Sequence, residues 1–130
     1  MDELDHARHY PAQVGIDAYG NGGFRFAGMS HRGSLLCLPK GMFAWHVANP
    51  GDITREALAA VFAAAADIDV LLIGLGPDIA AIPRELRDAL REHKVIVEAV
   101  NTGSAIRTYN VLLAEERAVA AALIAVDRVR

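Results

Sequence analysis

A run of four aliphatic residues, Val70-Leu71-Leu72-Ile73, places the strongest constraint on how this chain of 130 residues folds. The run is too short for a helix, and Gly74-Leu75-Gly76-Pro77 ends it abruptly. Because no residue in the run is polar, both faces of the segment must be covered, which is typical of a strand with layers of structure on either side. We therefore expect these residues to form a strand at the centre of a sheet.

The segment that follows predicts a helix and a second strand. Pro83 suits the first position of a helix, and Arg84 and Asp88 are spaced to pair on its outer face. Val95-Ile96-Val97 then provides the next strand. A crossover of this length joins two parallel strands with a right-handed connection. The last two-thirds of the chain is therefore predicted to be an α/β unit.

Two further helices are predicted, one before the strand at residues 70–73 and one after the strand at residues 95–97. Before it, Thr54 suits an N-cap, and the alanine-rich residues 55–66 follow with helical spacing. After it, Thr102 or Ser104 can cap a third helix. Residues 118–126 stay open, because their alanine and aliphatic residues fit either a helix or a fully buried strand.

The first third of the chain has the pattern of an antiparallel β-meander. Phe24 and Phe26 share one face of a short segment while Arg25 points the other way, which is typical of a half-buried strand. The expected strands are residues 14–19, 24–27, 35–38 and 42–47, with turns at 20–23, 31–34 and 39–41. Residues 1–12 are expected to be a loosely held arm, and residues 1–130 a single domain.

Charge and hydropathy argue against two classes of partner. Thirteen basic and sixteen acidic residues give a net charge of −3 without a basic stripe, so nucleic acid is not an expected partner. The longest apolar runs, residues 57–66 and 119–126, are shorter than the roughly 20 residues that span a bilayer, so no membrane span is expected. The acidic N-terminus has no apolar core and predicts a cytoplasmic protein. Eleven Arg, two Lys and twenty-four Ala indicate a bacterial source.

Two loops follow the predicted parallel strands, residues 74–78 and residues 101–104. Such loops meet at the carboxyl edge of an α/β sheet, where ligands bind. The second loop runs into residues 107–110, so backbone N–H groups, hydroxyls, a guanidinium and a carboxamide would together surround an anion. The candidate ligand-binding pocket consists of Gly74, Gly76, Thr102, Ser104, Arg107, Tyr109 and Asn110.

A purely structural role for these residues is the alternative. The glycines would permit a sharp exit from a buried strand, the hydroxyls would cap a helix and Arg107 would pair with a carboxylate. A dinucleotide-binding loop fits poorly, although Glu98 has the spacing of a ribose-binding acid. Ile79 stands where a third glycine is needed, and Pro77 lacks an amide for pyrophosphate. No cofactor is therefore predicted.

Other reactive side chains give no catalytic constellation. His6 and His9 have no third ligand near them in the sequence, so no metal site is predicted. Cys37 lies in an apolar segment, where core packing is expected rather than nucleophilic catalysis. Glu98 is expected to be a structural carboxylate, with acid–base catalysis as the alternative. The catalytic residues stay unknown, and the sequence leaves open whether the protein is an enzyme.

The order of several motifs resembles a known family. These motifs are residues 24–28, Gly33-Ser34-Leu35-Leu36, Trp45, Ile73-Gly74-Leu75-Gly76, Val97-Glu98, Thr102, Ala105, Arg107-Thr108-Tyr109-Asn110 and residues 112–116. Their order and spacing across residues 14–126 are similar to those of the Mth-type domain family of unknown function. That family includes the mitochondrial NADH dehydrogenase (ubiquinone) complex I assembly factor 3 and the adipogenesis-associated domain protein.

The resemblance implies a three-layer β+α/β/α fold. A mixed central sheet would carry helices on one side and a smaller β layer with a helix on the other. The resemblance also implies that the C-terminal tail is a strand, so that the C-terminal part has the order β-α-β-α-β. The antiparallel meander predicted from the sequence precedes this part. Glu116 stands where family members have a turn glycine, which leaves the geometry of that turn open.

The resemblance also implies a role in binding another protein. The leading hypothesis is a non-catalytic protein-binding or assembly factor of bacterial origin, whose partner is a respiratory-complex subunit. The alternative is a small-molecule or anion-binding enzyme that uses the pocket at the carboxyl ends of the strands. A hydrophobic content of 53% is also compatible with a homo-oligomer.

Overall fold

The computed structural model describes residues 8–77 and 80–127, which contain nine strands and three α-helices. The strands are β1 (Arg8–Tyr10), β2 (Ala18–Gly20), β3 (Gly23–Phe26), β4 (Met29–Arg32), β5 (Ser34–Leu38), β6 (Gly41–Trp45), β7 (Val70–Gly74), β8 (Ile96–Val100) and β9 (Val119–Leu123). The helices are α1 (Ala59–Ala63), α2 (Arg84–Glu92) and α3 (Thr102–Ala114), and 3₁₀ turns occupy Pro50–Asp52 and Ala65–Asp67. Within these described ranges no helix is long and apolar enough to cross a membrane.

Six strands form one mixed sheet in the order β1-β6-β5-β9-β7-β8. β7 pairs in parallel with both β8 and β9, and β5 pairs antiparallel with β6 and β9. The aliphatic run in β7 therefore has a neighbouring strand on each edge, as predicted, and Leu71, Leu72 and Ile73 are at most 1% exposed. The predicted parallel pair joined by a helix is confirmed as β7-α2-β8.

The tail that the sequence left open is strand β9, as the family resemblance implied. It lies between β5 and β7, and all five of its residues are buried. Three of them are the alanines Ala120, Ala121 and Ala122. Because a layer packs on each face of the strand, small side chains on both faces are what this position requires.

Two layers cover the central sheet. On one face α1 and α2 pack in an apolar cluster that includes Trp45, Leu58 and Leu90. On the other face the separate antiparallel sheet β2-β3-β4 and helix α3 bury a second cluster that includes Phe26 and Tyr109. The predicted α/β fold with three layers, β+α/β/α, is thereby confirmed.

The predicted N-terminal meander is divided between two sheets. β2, β3 and β4 form the small sheet, whereas β1 and the β5–β6 hairpin belong to the central one. The turn predicted at residues 31–34 is partly wrong, because β4 continues to Arg32 and the chain turns at Gly33, whose φ is 93°. The polar sequence conceals this strand, since the buried His31 ring bonds to the Ser34 carbonyl at 2.9 Å.

The first strand limits the predicted N-terminal arm. β1 pairs with β6 in antiparallel fashion, so the arm predicted over residues 1–12 is not loose at residues 8–10. Residues 1–7 lie outside the described residues, and the single domain over residues 1–130 stays a prediction.

Helix α1 is shorter than the predicted helix over residues 55–66. Thr54 is the expected cap, and its Oγ1 accepts a hydrogen bond from the Ala57 N–H at 3.1 Å. The Ala59 and Val61 amides then donate to carbonyls three residues back, Glu56 and Leu58. Such bonds are those of 3₁₀ turns, and a 3₁₀ turn at Ala65–Asp67 replaces the C-terminal end of the expected helix.

The cap predicted for α3 is wrong. Asn101 caps the helix, because its Oδ1 accepts a hydrogen bond from the Ser104 N–H at 2.8 Å. Thr102 is instead drawn into the protein interior. The C-terminal turn of α3 keeps a left-handed residue, Glu116, at a φ of 61°, so a non-glycine residue adopts the geometry that a glycine would take.

Two hairpin turns in the small sheet allow a direct comparison. Asn21 and Gly22, with φ of 53° and 79°, connect β2 to β3. Ala27 and Gly28, with φ of 50° and 75°, connect β3 to β4 in the same way. Two successive residues with positive φ form the tight hairpin turn for which Asn-Gly is the preferred sequence. Ala27 therefore adopts a backbone conformation that its Cβ disfavours by about 1 kcal/mol.

Replacing Ala27 with Asn should raise the free energy of unfolding by about 0.5–1 kcal/mol, because Asn tolerates the left-handed conformation better than Ala does. Urea unfolding followed by Trp45 fluorescence measures the change. Ala27→Val is the opposite control and should lower the midpoint, since a β-branched residue is strained at positive φ. An Ala27→Asn midpoint at or below that of the wild type would contradict the assignment of strain to this turn.

Candidate functional site

The two predicted loops do meet, and the Thr102 hydroxyl joins them. Its Oγ1 donates a hydrogen bond to the Ile124 carbonyl at 2.7 Å and accepts one from the Gly76 N–H at 3.0 Å. The Thr102 N–H donates to the Gly76 carbonyl at 2.9 Å, and the Ile124 N–H donates to the Gly74 carbonyl at 2.9 Å. Thr102 has no exposed surface. The ends of β7 and β9 and the start of α3 are thus tied together by internal hydrogen bonds.

Strand and helix pack closely where Gly74 faces Thr102. A Cβ placed on Gly74 would lie 3.0 Å from both Cα and Oγ1 of Thr102 and 3.1 Å from Leu123 Cδ2. Gly76 has a φ of 98°, which favours glycine. Gly74 permits the close approach of strand and helix, and Gly76 permits the turn that leaves the strand, which are structural roles of the kind that the sequence left as the alternative.

Ser104 and Arg107 lie together on the outer part of α3. The Arg107 Nη2 donates to the Ser104 Oγ at 3.1 Å, and Arg107 is exposed. Within residues 8–77 and 80–127, Arg107 forms no ion pair, so the carboxylate partner considered for it is not found there. Among the seven predicted pocket residues, these two present polar side-chain atoms to solvent, and a ligand role for them stays a prediction.

Tyr109 and Asn110 lie on the inner part of the same helix and hold the chain before β2. The Tyr109 hydroxyl donates to the Val14 carbonyl at 2.8 Å. The Asn110 carboxamide donates to the Ile16 carbonyl at 2.9 Å and accepts from the Ile16 N–H at 2.8 Å. These bonds explain why β2 starts at Ala18 rather than at residue 14. Nothing local in the sequence signals them, because the partners are more than 90 positions apart.

The small sheet also contacts the start of α3 through Tyr19. A Cβ placed on Gly103 would collide with the Tyr19 hydroxyl and would lie 3.5 Å from Arg107 Nη1. The hydroxyl and the guanidinium therefore sit side by side above Gly103. Gly103 belongs to the predicted loop of residues 101–104, whereas the sequence did not identify Tyr19 as part of this region.

The other reactive residues do not add a catalytic group to this region. Cys37 is fully buried, as predicted, and lies in the same apolar cluster as Tyr109. Glu98 is exposed on strand β8. No group of three or more His, Cys, Asp or Glu residues is placed to hold a metal ion in the part of the chain that the structure describes. His6, Asp78 and Ile79, which the sequence analysis weighed, lie outside that part.

Burial changes the acidity of two core groups. Desolvation raises the pKa of the Cys37 thiol well above its ordinary value of 9.0. Desolvation also raises the pKa of the Tyr109 hydroxyl above its ordinary value of 10.0, and the neighbouring Cys37 adds to this effect. A thiol that stays protonated is not a nucleophile at neutral pH, which agrees with a packing role for Cys37.

Strand β8 forms an open edge of the central sheet. It pairs only with β7 among the described strands. The Ile96 N–H donates to the Asp69 carbonyl, and the Val100 carbonyl accepts from the Leu75 N–H, so the backbone groups of these two residues point toward β7. Because successive residues of a strand direct their N–H and C=O groups to opposite sides, the backbone groups of Val97 and Ala99 point away from β7. The Arg87 Nη1 donates to the Val97 carbonyl at 3.2 Å and covers one of these groups. Beside this edge the apolar side chain of Ile96 is 66% exposed.

An open groove of about 530 Å³ lies on the small sheet. Strand pairing sets Ala18, Arg25 and Ser30 in one row across the sheet, and Gly20, Gly23 and Arg32 in the next row of the same face. Phe24 and His31 point to the opposite face and are buried. Four of the six residues in the two rows are Gly, Ala or Ser, so the long side chains of Arg25 and Arg32 are surrounded by small residues on their face.

Comparison with known proteins identifies relatives of this chain. Residues 16–124 match the family described as protein of unknown function DUF498/DUF598. An uncharacterized protein of Rhodobacter capsulatus is 44% identical over 109 residues, which cover 84% of this chain and 82% of that protein. The NADH dehydrogenase (ubiquinone) 1 alpha subcomplex assembly factor 3 of Mus musculus is 30% identical over 115 residues. That match covers 88% of this chain but only 62% of the mouse protein.

Solved structures share the fold. The crystal structure of a Bartonella henselae protein, described as an outer membrane protein, is 50% identical with a TM-score of 0.87, covering 91% of this chain and 99% of that one. The solution structure of a Bordetella pertussis protein, described as an Mth938-like domain, is 29% identical with a TM-score of 0.77. It covers 88% of this chain and 87% of that one. The resemblance to the Mth-type family is thereby confirmed.

Replacing Thr102 with Val should destabilise the protein by about 2–4 kcal/mol, because the buried Gly76 N–H and Ile124 carbonyl would both lose their partner. Thr102→Ser is the matched control, since it keeps the hydroxyl and loses only a methyl group, at a cost of about 1 kcal/mol. Urea unfolding of both variants measures the difference. If Thr102→Val were as stable as Thr102→Ser, the hydroxyl would not hold the junction.

Raising the pH should destabilise the protein above about pH 9, because Cys37 and Tyr109 then lose protons in the unfolded chain while the folded core keeps them. The unfolded state binds fewer protons, so the free energy of unfolding falls with pH, and the slope for each group approaches about 1.4 kcal/mol per pH unit once the pH exceeds the ordinary pKa of that group. Urea midpoints between pH 7 and pH 10.5 measure the slope. In Cys37→Ala the slope should be shallower by one proton, and an unchanged slope would exclude Cys37 as its source.

Proposed function

This chain belongs to the DUF498/DUF598 family of proteins of unknown function, and from that membership we propose that it is a non-catalytic protein-binding or assembly factor. The match spans residues 16–124, which hold eight of the nine strands and all three helices described above. The mouse relative is named as an assembly factor of NADH dehydrogenase. Since the match covers 62% of that protein, its role is carried here only as a proposal.

The open edge at β8 is the observation that carries this proposal. The outward N–H of Val97 and both outward groups of Ala99 offer hydrogen bonds to an added strand. Ile96, two-thirds exposed, offers apolar contact beside them. A partner segment that pairs with this edge would extend the six-stranded sheet, displace Arg87 from the Val97 carbonyl and cover Ile96. Such pairing is a common way for one protein to bind a segment of another.

The alternative of a small-molecule or anion-binding enzyme has less support. Thr102, Tyr109 and Asn110 use their side-chain hydrogen bonds within the protein. In such a site the side chains of Ser104 and Arg107 would bind the anion. We propose that the protein partner is a subunit of a respiratory complex, because the mouse relative is named as an assembly factor of NADH dehydrogenase.

Deleting the gene in its native cell should lower the amount of assembled NADH dehydrogenase, measured by native gel electrophoresis and NADH:ubiquinone activity of membranes. Complementation with Ile96→Lys should fail to restore it, because a lysine at the edge opposes strand pairing. Ala48→Lys is the charge-matched control and should complement, since Ala48 is exposed and follows β6, which three strands of the central sheet separate from β8.

Two outcomes would count against the proposal. Normal NADH dehydrogenase in the deletion strain would exclude this enzyme as the target. Full complementation by Ile96→Lys would exclude the β8 edge as the binding surface. Melting temperatures of the purified variants check that each lysine leaves the fold intact.

A further inference from the structure

The groove on the small sheet carries two positive charges that the fold does not use. Arg25 and Arg32 are both exposed, and neither forms an ion pair or a side-chain hydrogen bond among residues 8–77 and 80–127. Arg25 stands opposite Ser30 in β4, and Arg32 is two residues further along that strand, on the same face. The two guanidinium groups thus project from diagonal positions of one surface, within reach of one ligand.

Among residues 8–77 and 80–127, no carboxylate lies close enough to Arg25 or Arg32 to form an ion pair. Two exposed carboxylates of the described residues lie beside the small sheet, since the Asp17 N–H donates to the Arg25 carbonyl and the Asp127 carbonyl accepts from the Asn21 N–H. Asp127 and Arg32 both approach Gly22, because a Cβ placed on that glycine would lie 3.8 Å from Asp127 Oδ1 and 4.0 Å from Arg32 Nη1. The two side chains nevertheless form no ion pair. In a protein with a net charge of −3, a groove with two unpaired arginines is a local departure from the overall charge. It favours an anionic ligand through charge complementarity.

The form of the groove favours an extended ligand. Pockets for small molecules are mostly enclosed and apolar. This groove is open, and the small residues Ala18, Gly20, Gly23 and Ser30 are part of its lining. The absence of large side chains between the arginines makes room for a chain to lie along the strands. Guanidinium groups bind carboxylates with two parallel hydrogen bonds, which suits acidic side chains of such a chain.

We propose that the Arg25–Arg32 groove docks an extended acidic segment of a protein partner, with carboxylates of the segment bound by the two guanidinium groups. The proposal rests on the proposed function in taking the partner to be a protein. It adds a second contact surface, on the opposite side of the central sheet from α2, and it assigns the chemistry of the segment bound there.

Binding of a fluorescein-labelled peptide of alternating Glu and Ser residues, eight in all, tests the proposal by fluorescence anisotropy with the full chain at low salt. The double variant Arg25→Gln/Arg32→Gln should weaken binding at least about tenfold, because two charge-assisted contacts are lost. The matched control Arg84→Gln/Arg91→Gln changes the net charge equally on α2 and should bind the peptide like the wild type. Ser30→Trp, which fills the groove without changing charge, should weaken binding as well.

Amide chemical shifts locate the contact independently of any variant. The peptide should shift the amides of Ala18, Arg25 and Ser30 in the wild type. Shifts confined to Ser104 and Arg107 would overturn the proposal in favour of an anion site on α3. Equal weakening in the α2 control would also overturn it, since binding would then reflect net charge alone.

Two further measurements separate other occupants. Inorganic phosphate that displaces the peptide with the affinity of the peptide itself would identify a small-anion site and overturn the proposal. A dimer in sedimentation velocity that dissociates in Arg25→Gln/Arg32→Gln would identify a second copy as the occupant and overturn it too. If the peptide does not bind but Ile96→Lys still fails to complement the deletion, the groove is rejected as a docking site. The proposed function is then unaffected, because its test does not involve the groove.

Discussion

The buried hydroxyl of Thr102 is the interaction on which the parallel half of the structure depends. Parallel strands end at the same edge of a sheet, and the backbone groups that leave them there need partners. One threonine side chain supplies partners to the exit from β7 and to the exit from β9, while its own backbone starts α3. Gly74 suits this point because a Cβ there would lie only 3.0 Å from Thr102 Cα and Oγ1 and would crowd the contact between strand and helix. The chemistry that makes such an edge attractive for ligands in other α/β proteins is here used to hold the fold together.

Much of the fold was predictable from the sequence because it depends on local pattern. The aliphatic run of β7 demanded cover on both faces, and Thr54, Arg84 and Asp88 act as their positions suggested. β4 was missed because its core residue is a histidine, and β9 stayed ambiguous because alanine suits both a helix and a strand buried on two faces. For β9 the family resemblance supplied what periodicity did not contain.

The candidate site shows where such prediction ends. The sequence identified residues of the right chemistry and correctly expected the two loops to meet. It did not show that Tyr109 and Asn110 hold residues 14–16 through hydrogen bonds, since those contacts join distant parts of the chain. The features proposed here for binding were also not visible in advance. The β8 edge follows from strand order, and the Arg25–Arg32 groove follows from the pairing of three short strands, neither of which any single segment encodes.

The place of β9 has a consequence for biosynthesis. β5, β6, β7 and β8 all leave the ribosome before β9, yet β9 fills the gap between β5 and β7. Until it arrives, the nascent chain has two apolar strands with unpaired edges that face the same vacancy. Such edges invite association with other chains and with chaperones. The interval between the emergence of residue 100 and the emergence of residue 123 from the ribosome is therefore a period in which this protein is exposed to misassembly.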